Sequence, residues 1–160
     1  MRRRLVIAII IFFLTFTLCN SVEAAWEWQN PLPQGNILNN IWGSSGENIF
    51  SVGENGTILH YNGSTWSAMN SGTNNALNCV WGNSPDDVFT VGDGGTILHY
   101  NGSGWDAMSS GTTQKLNGVW GSSSNDIFAV GNNGTILHYN GSNWVQMNSG
   151  TSENLYAVWG

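Results

Sequence analysis

The dipeptide Trp-Gly recurs at Trp42-Gly43, Trp81-Gly82, Trp120-Gly121 and Trp159-Gly160, each 39 residues after the last. Gly53, Gly92 and Gly131 keep the same step. Self-similarity at a fixed period of this size marks a repeat architecture, in which each unit is one supersecondary element that buries its apolar face only against its neighbours. Complete units run 38–76, 77–115 and 116–154, and a further one opens at Leu155 and reaches Gly160. That register constrains the fold more than any other property of the chain.

Each unit divides into four short runs separated by turn residues. In the first copy these are Leu38–Trp42, Asn48–Val52, Thr57–Tyr61 and Trp66–Met69. They are rich in β-branched and aromatic residues, too short for helices, and show no 3.6-residue period. Asn55-Gly56, Gly94-Gly95 and Asn133-Gly134 join the second run to the third. Such pairs accept the positive φ angles of a type I′ hairpin turn. Asn62-Gly63, Asn101-Gly102 and Asn140-Gly141, between the third and fourth runs, are expected to do the same. Two tight hairpins per unit make antiparallel neighbours, so the unit is a four-stranded meander. Meanders of about this length, repeated, are the pattern of β-propeller blades. The first run lines the channel in this reading, the second is sandwiched between blades, and the more polar fourth is the outer edge.

The string Gly-Thr-Ile-Leu-His-Tyr-Asn-Gly-Ser-x-Trp occurs at 56–66, 95–105 and 134–144. It resembles the third and fourth strands of BNR/Asp-box propellers and of the photosystem II stability/assembly-factor type of propeller. The resemblance covers Leu38 to Gly160 and implies an all-β fold of four-stranded antiparallel blades. The Asp-box places an aspartate in the hairpin that closes on the tryptophan; Asn62, Asn101 and Asn140 stand there instead. The match is specific for the blade and nearly silent about activity.

About three and a half blades are present, an incomplete propeller. Trp26-Glu27-Trp28-Gln29-Asn30 has the look of an outer strand, and Leu155–Trp159 that of a lone inner strand. Propeller rings usually hold four to eight blades. Two expectations follow: a segment of a longer protein, or two or more chains completing each other's open edges as a homo-oligomer. Unclosed edges are an aggregation hazard, which favours the former.

The N-terminus reads as a targeting segment. Arg2, Arg3 and Arg4 precede an apolar run from Leu5 to Leu18, then Ser21-Val22-Glu23-Ala24-Ala25. This is a signal-peptide layout over residues 1–24, with 25–160 as the exported propeller segment, periplasmic, secreted or on the cell surface. An uncleaved anchor is the alternative. Cys19 would suit a lipoprotein leader, but Leu18 stands where a small residue belongs. Loss of the leader removes every arginine from a chain of net charge -6 and leaves Lys115 as the one strong base. Such a body cannot neutralise a row of phosphates, which excludes nucleic acid, and it disfavours an anionic membrane surface.

Candidate chemistry is sparse. Cys79 is the only cysteine after the leader and is expected to be a small packed side chain. His60, His99 and His138 share one position in successive units, so they should lie far apart and bond to a neighbouring strand or blade rather than ligate a metal. Asp87 and Asp126 share a register with Asn48, which suggests a turn-closing acceptor. A glycosidase needs two carboxylates facing across a cleft, and no pair stands out. A sialidase would further need arginines around its substrate carboxylate, and the exported part has none. Five Asn-Gly-Ser/Thr sequons coincide with hairpin turns and are read as turns. Trp42, Trp81, Trp120 and Trp159 are expected in the core, whereas Trp66, Trp105 and Trp144, on the outer strand, are the candidate binding residues. No catalytic residue, metal or cofactor is expected. The expected function is binding or scaffolding of a protein partner or an extracellular polysaccharide. The alternative is a piece of a secreted glycoside-acting enzyme whose catalytic residues lie outside this chain.

Overall fold

Each repeat folds into one four-stranded antiparallel sheet whose strands lie side by side in chain order. A computed structural model describes residues 35–160. The expected leader and the Trp26–Asn30 run lie outside the described residues. The first sheet holds β1 (Leu38–Ser45), β2 (Asn48–Gly53), β3 (Ile58–Tyr61) and β4 (Trp66–Met69). The second holds β5 (Leu77–Ser84), β6 (Asp87–Gly92), β7 (Ile97–Tyr100) and β8 (Trp105–Met108). The third holds β9 (Leu116–Ser123), β10 (Asp126–Gly131), β11 (Ile136–Tyr139) and β12 (Trp144–Met147). The inner strands β1, β5 and β9 are successive neighbours, and β2 and β6 also reach the inner strand of the following sheet. Among the described residues no sheet closes on itself. This is a partial β-propeller.

The inner strand runs three residues past the Trp expected to end it. Gly43, Ser44 and Ser45 continue the ladder through a register shift, with Ser45 opposite Asn48. Glycine and serine carry little strand propensity, so pairing rather than local preference extends the strand there. The β2–β3 turns match the type I′ expectation: Asn55 and Gly56 sit at φ 53 and 66, and Thr57 N–H donates to Glu54 C=O at 3.0 Å. The β3–β4 connections differ from expectation. Gly63 has φ 90, whereas Asn62 is not at positive φ. Its Oδ1 instead accepts the N–H groups of Ser64 and Thr65 at 3.1 and 3.0 Å. Asn101 and Asn140 close their loops in the same way. A four-residue loop leaves backbone donors over, and the Asx side chain satisfies them.

Apolar side chains from facing sheets form two cores. Phe50, Val52 and Ile58 of the first sheet meet Leu77, Val80, Val88 and Leu98 of the second. Phe89, Val91 and Ile97 of the second meet Leu116, Val119, Ile127 and Leu137 of the third. β6, apolar on both faces, lies buried between the first and third sheets as a sandwiched strand must. Near the axis one asparagine per repeat ties its inner strand to the next. Asn39, Asn78 and Asn117 donate through Nδ2 to the carbonyls of Leu77, Leu116 and Leu155 at 2.8–2.9 Å.

Leu155–Trp159 takes the place of a fourth inner strand without becoming one. Leu155 N–H donates to Gly131 C=O at 3.0 Å, but the segment pairs with no strand of the described residues. A single extended segment has no ladder to complete, which is why the expected strand is absent as such.

Candidate functional site

The two faces of a blade are not alike. The face toward the following repeat, here the forward face, presents Trp42, Phe50, Val52, Ile58 and Met69 in the first sheet. The face toward the preceding repeat, the rear face, presents Leu77, Val80, Val88, Leu98, Tyr100 and Trp105 in the second. The alternation of strand side chains writes both faces into one sequence.

Three contacts define the seam between blades. The Trp42 ring lies over Gly82: a Cβ there would sit 2.5 Å from the ring, and one on Gly121 would sit 2.7 Å from Trp81. The Trp-Gly dipeptide is therefore a pair of half-contacts, the tryptophan packing forward and the glycine receiving from behind. Next to it, Phe50 takes Tyr100 at 5.2 Å and the edge of Trp105 at 5.8 Å from the following blade. Phe89 likewise takes Tyr139 and Trp144 at 5.8 and 6.4 Å. The third contact is the asparagine lash along the axis.

This geometry locates the candidate binding tryptophans. Trp105 and Trp144 are wedged between blades, and their indole Nε1 atoms are buried without a hydrogen-bond partner. They work as apolar wedges. Trp66 occupies the same register position on the rear face of the first sheet, where no described blade precedes it. At the inner edge of the same sheet Ile37, Leu38 and Ile41 are 62%, 44% and 61% exposed. At the other end Phe128 stacks on His138 at 4.6 Å, and no described blade follows it. Met147, on the outer strand of the same sheet, is 45% exposed. Residues 155–160 cover part of that face, with Gly160 under the Trp120 ring, and end in a Trp159 that is 89% exposed. The candidate site is thus a pair of open faces that the sequence showed only as repeated residues.

The histidines are placed by the sheet. His60 Nε2 meets Asn48 Oδ1 at 3.1 Å, His99 meets Asp87 at 2.7 Å and His138 meets Asp126 at 2.8 Å, each across β-neighbours. Each ring also stacks on the phenylalanine of its own blade at 4.3–4.6 Å. Burial pushes His60 below its ordinary value. Hydrogen bonds from Ser122 and His138 hold Asp126 below the usual carboxylate range. The residues expected to close turns therefore act chiefly as acceptors for the histidines.

Among the described residues no three His, Cys, Asp or Glu side chains gather as a metal would require. Cys79 is half-buried beside Val119 C=O at 3.9 Å, and burial raises its thiol, the opposite of nucleophile activation. Asp93 pairs with Lys115 at 3.0 Å and accepts from Asn78. A depression near Gly94, Gly95, Ser110 and Thr112 is also lined by Met108. The Ser110 hydroxyl already donates to Thr112 C=O.

No family model and no curated protein matches the chain. Among solved structures it is similar to YCF48 from Cyanidioschyzon merolae, with TM-score 0.62 and 22% identity, covering 76% of this chain and 42% of that one. It is also similar to YCF48 bound to D1 peptide, with TM-score 0.62 and 18% identity, covering 72% and 40%. The chain spans about two fifths of the length of these structures. At such identities the likeness establishes the propeller fold.

Proposed function

We propose that this chain is an exported binding or scaffolding module that carries out no catalysis and whose partner is a protein. One observation carries the reading. The open faces bear apolar residues whose counterparts inside the molecule are buried by protein: Leu38 is 44% exposed where Leu77 and Leu116 are 0%. Exposed apolar surface of this kind marks an interaction site. No charge lies among the rear-face positions Leu38, Ile41, Ile49, Tyr61 and Trp66, so desolvating them costs little. The polypeptide ligand of YCF48, a protein of like fold, supports a partner of the same class. The signal-peptide layout of residues 1–24 supports export. Polysaccharide binding is the second reading, favoured by the exposed rings of Tyr156 and Trp159, since aromatic faces stack on sugars.

The test uses the full chain purified from the exported fraction of an expression host. It is applied to a glycan array and to fluorogenic glycosides, and a photo-cross-linking residue is placed at position 41. Adducts to polypeptide, with neither glycan retention nor turnover, are expected. Saturable glycan binding lost in Trp159→Ala would establish the second reading, and hydrolysis lost on changing one carboxylate would establish an enzyme.

A further inference from the structure

We propose that the β3–β4, β7–β8 and β11–β12 loops are sites of self-modification, where Asn62, Asn101 and Asn140 lose their side-chain amides through succinimides. Asn-Gly is the dipeptide in which this chemistry runs most readily, because glycine has no side chain to shield its own nitrogen. The chain holds six such pairs, and folding divides them. Asn55-Gly56 and Asn133-Gly134 form tight turns whose glycines are buried. A Cβ on either glycine would collide with the carbonyl of Thr73 or Thr151. Gly134 N–H donates to Glu153 C=O at 2.7 Å, and the Nδ2 groups of Asn55 and Asn133 donate to Asn36 and Gln114. Asn117-Gly118 lies in the β9 ladder with Gly118 opposite Val130, and its Nδ2 donates to Asn132 and Leu155. In these three pairs the peptide plane has no room to turn toward the side chain.

The outer loops are built otherwise. Asn62, Asn101 and Asn140 are exposed, as are Gly102 and Gly141, and Gly63 is half-buried. Among the described residues the N–H groups of these three glycines meet no acceptor. Each asparagine Oδ1 accepts two backbone N–H groups of its own loop at 3.0–3.2 Å: Ser64 and Thr65, Ser103 and Gly104, Ser142 and Asn143. Paired donors on an amide oxygen draw electrons from Cγ and hold the charge that gathers on Oδ1 during attack, as an oxyanion hole does. The glycine nitrogen bonds to Cγ and gives its proton to water. The Cγ–Nδ2 bond breaks, and Nδ2 takes up a proton and leaves as ammonia. Water then opens the succinimide ring at either carbonyl, leaving aspartate or isoaspartate, and is the only co-reactant. Asn101 is the slowest of the three. Its Nδ2 donates to Asp106 Oδ2 at 2.9 Å, and the Asp86 carboxyl stands against Gly102. Negative charge there builds beside two carboxylates, which raises its cost. At Gly141 the place of Asp86 is taken by the neutral Asn125.

The test is incubation of the full chain at mildly alkaline pH, once folded and once in concentrated guanidinium chloride. Aliquots are digested with chymotrypsin and read by mass spectrometry. Cuts after Leu59 or Tyr61, and after Leu137 or Tyr139, put the turn and loop asparagines on separate peptides. Each conversion adds the mass difference between acid and amide, and electron-transfer fragmentation tells isoaspartate from aspartate. Circular dichroism checks that the folded sample stays folded. In denaturant all six pairs are expected to convert together. In the folded chain Asn62 and Asn140 are expected to keep their unfolded rates, with Asn101 trailing them. Asn55, Asn117 and Asn133 are expected to slow by at least about tenfold, since each waits for local opening. Equal protection of loops and turns would make the Oδ1 bonds restraints rather than an aid, and would overturn the proposal. Conversion at Asn117 or Asn133 as fast as at Asn140 would overturn it too. Asn101 leading the three would overturn the role given to its two carboxylates.

Discussion

Phe89 and Phe128 are the same residue of successive repeats, flanked by nearly the same neighbours in sequence, and they live in different surroundings. Phe89 is 1% exposed, stacked on His99 and walled by Tyr139 and Trp144 of the next blade. Phe128 keeps its histidine and no described blade follows it, so it is only half-buried. The same contrast separates Leu77, fully buried, from Leu38 at the open rear face. Repetition supplies each residue with identical local chemistry, and its environment depends on whether a blade lies beyond it. In a stacked array, stability is the sum of unit terms and neighbour interfaces. A face without its neighbour keeps the first and lacks the second.

The largest test of that contrast is truncation of the two phenylalanines. Phe89→Ala is expected to cost about 3–5 kcal/mol, as for a fully buried ring. Phe128→Ala should cost about 1–2 kcal/mol, since part of that ring has no burial to lose. Urea midpoints measure both. Equal losses would show that the forward face of the third sheet is covered in solution.

Overpacking probes the same seam from the glycine side. Gly82→Ala drives a methyl into the Trp42 ring and is expected to cost about 1–3 kcal/mol. At Gly43 the nearest atoms stand 3.1–3.2 Å from the new methyl and lie in its own blade, so Gly43→Ala should cost about 1 kcal/mol or less by the same scale.

The outer loops, far from any seam, should respond alike except where chemistry differs. Asn62→Asp keeps the oxygen that accepts from Ser64 and Thr65 and should be near neutral. Asn101→Asp loses the Nδ2 donor to Asp106 at 2.9 Å and sets two carboxylates face to face. A loss of about 0.5–1 kcal/mol is expected there, shrinking with added salt. Thermal unfolding at two ionic strengths separates the pair.

The smallest effects are in pH. His60, lowered by burial beside a neutral Asn48, takes its proton more readily in the unfolded chain than in the folded one. Its contribution is intact above its unfolded value near 6.5 and is lost as pH falls through the lower folded value. Asp126 is lowered as a carboxylate, so its contribution persists through that window and is lost only as pH falls below about 3.8 toward its folded value. Proton NMR of the imidazoles reads the first directly. Asn48→Asp should move the His60 midpoint upward, and a midpoint that does not move would remove Asn48 as the controlling neighbour.

How much was legible in the sequence divides along the same line. The type I′ turns at Asn55-Gly56 could be read because two adjacent residues at positive φ have a local signature. Asn62-Gly63 carries the same dipeptide and folds otherwise. Its loop is four residues long, and the asparagine oxygen finds backbone donors further on. The histidines were correctly tied to a neighbouring strand, yet their acceptors Asn48, Asp87 and Asp126 were assigned to turn closure. The signal was present, as a fixed separation between an Asx residue and a histidine in every repeat. The Trp-Gly dipeptide was read as one motif, although Trp42 meets Gly82 and not its own neighbour. The sequence offers Trp66, Trp105 and Trp144 as candidate partner contacts, yet Trp105 and Trp144 are held between blades.

What the sequence determined by itself was everything carried by period and alternation: the 39-residue unit, its four strands, the antiparallel order and the propeller class. These depend on residues near each other in the chain, or on the same residue recurring. Only the tertiary structure decided which face of each strand meets which blade, and so which of several identical residues remain uncovered. Burial belongs to the assembly of blades and not to the repeat, because an apolar face leaves water only when another surface lies against it.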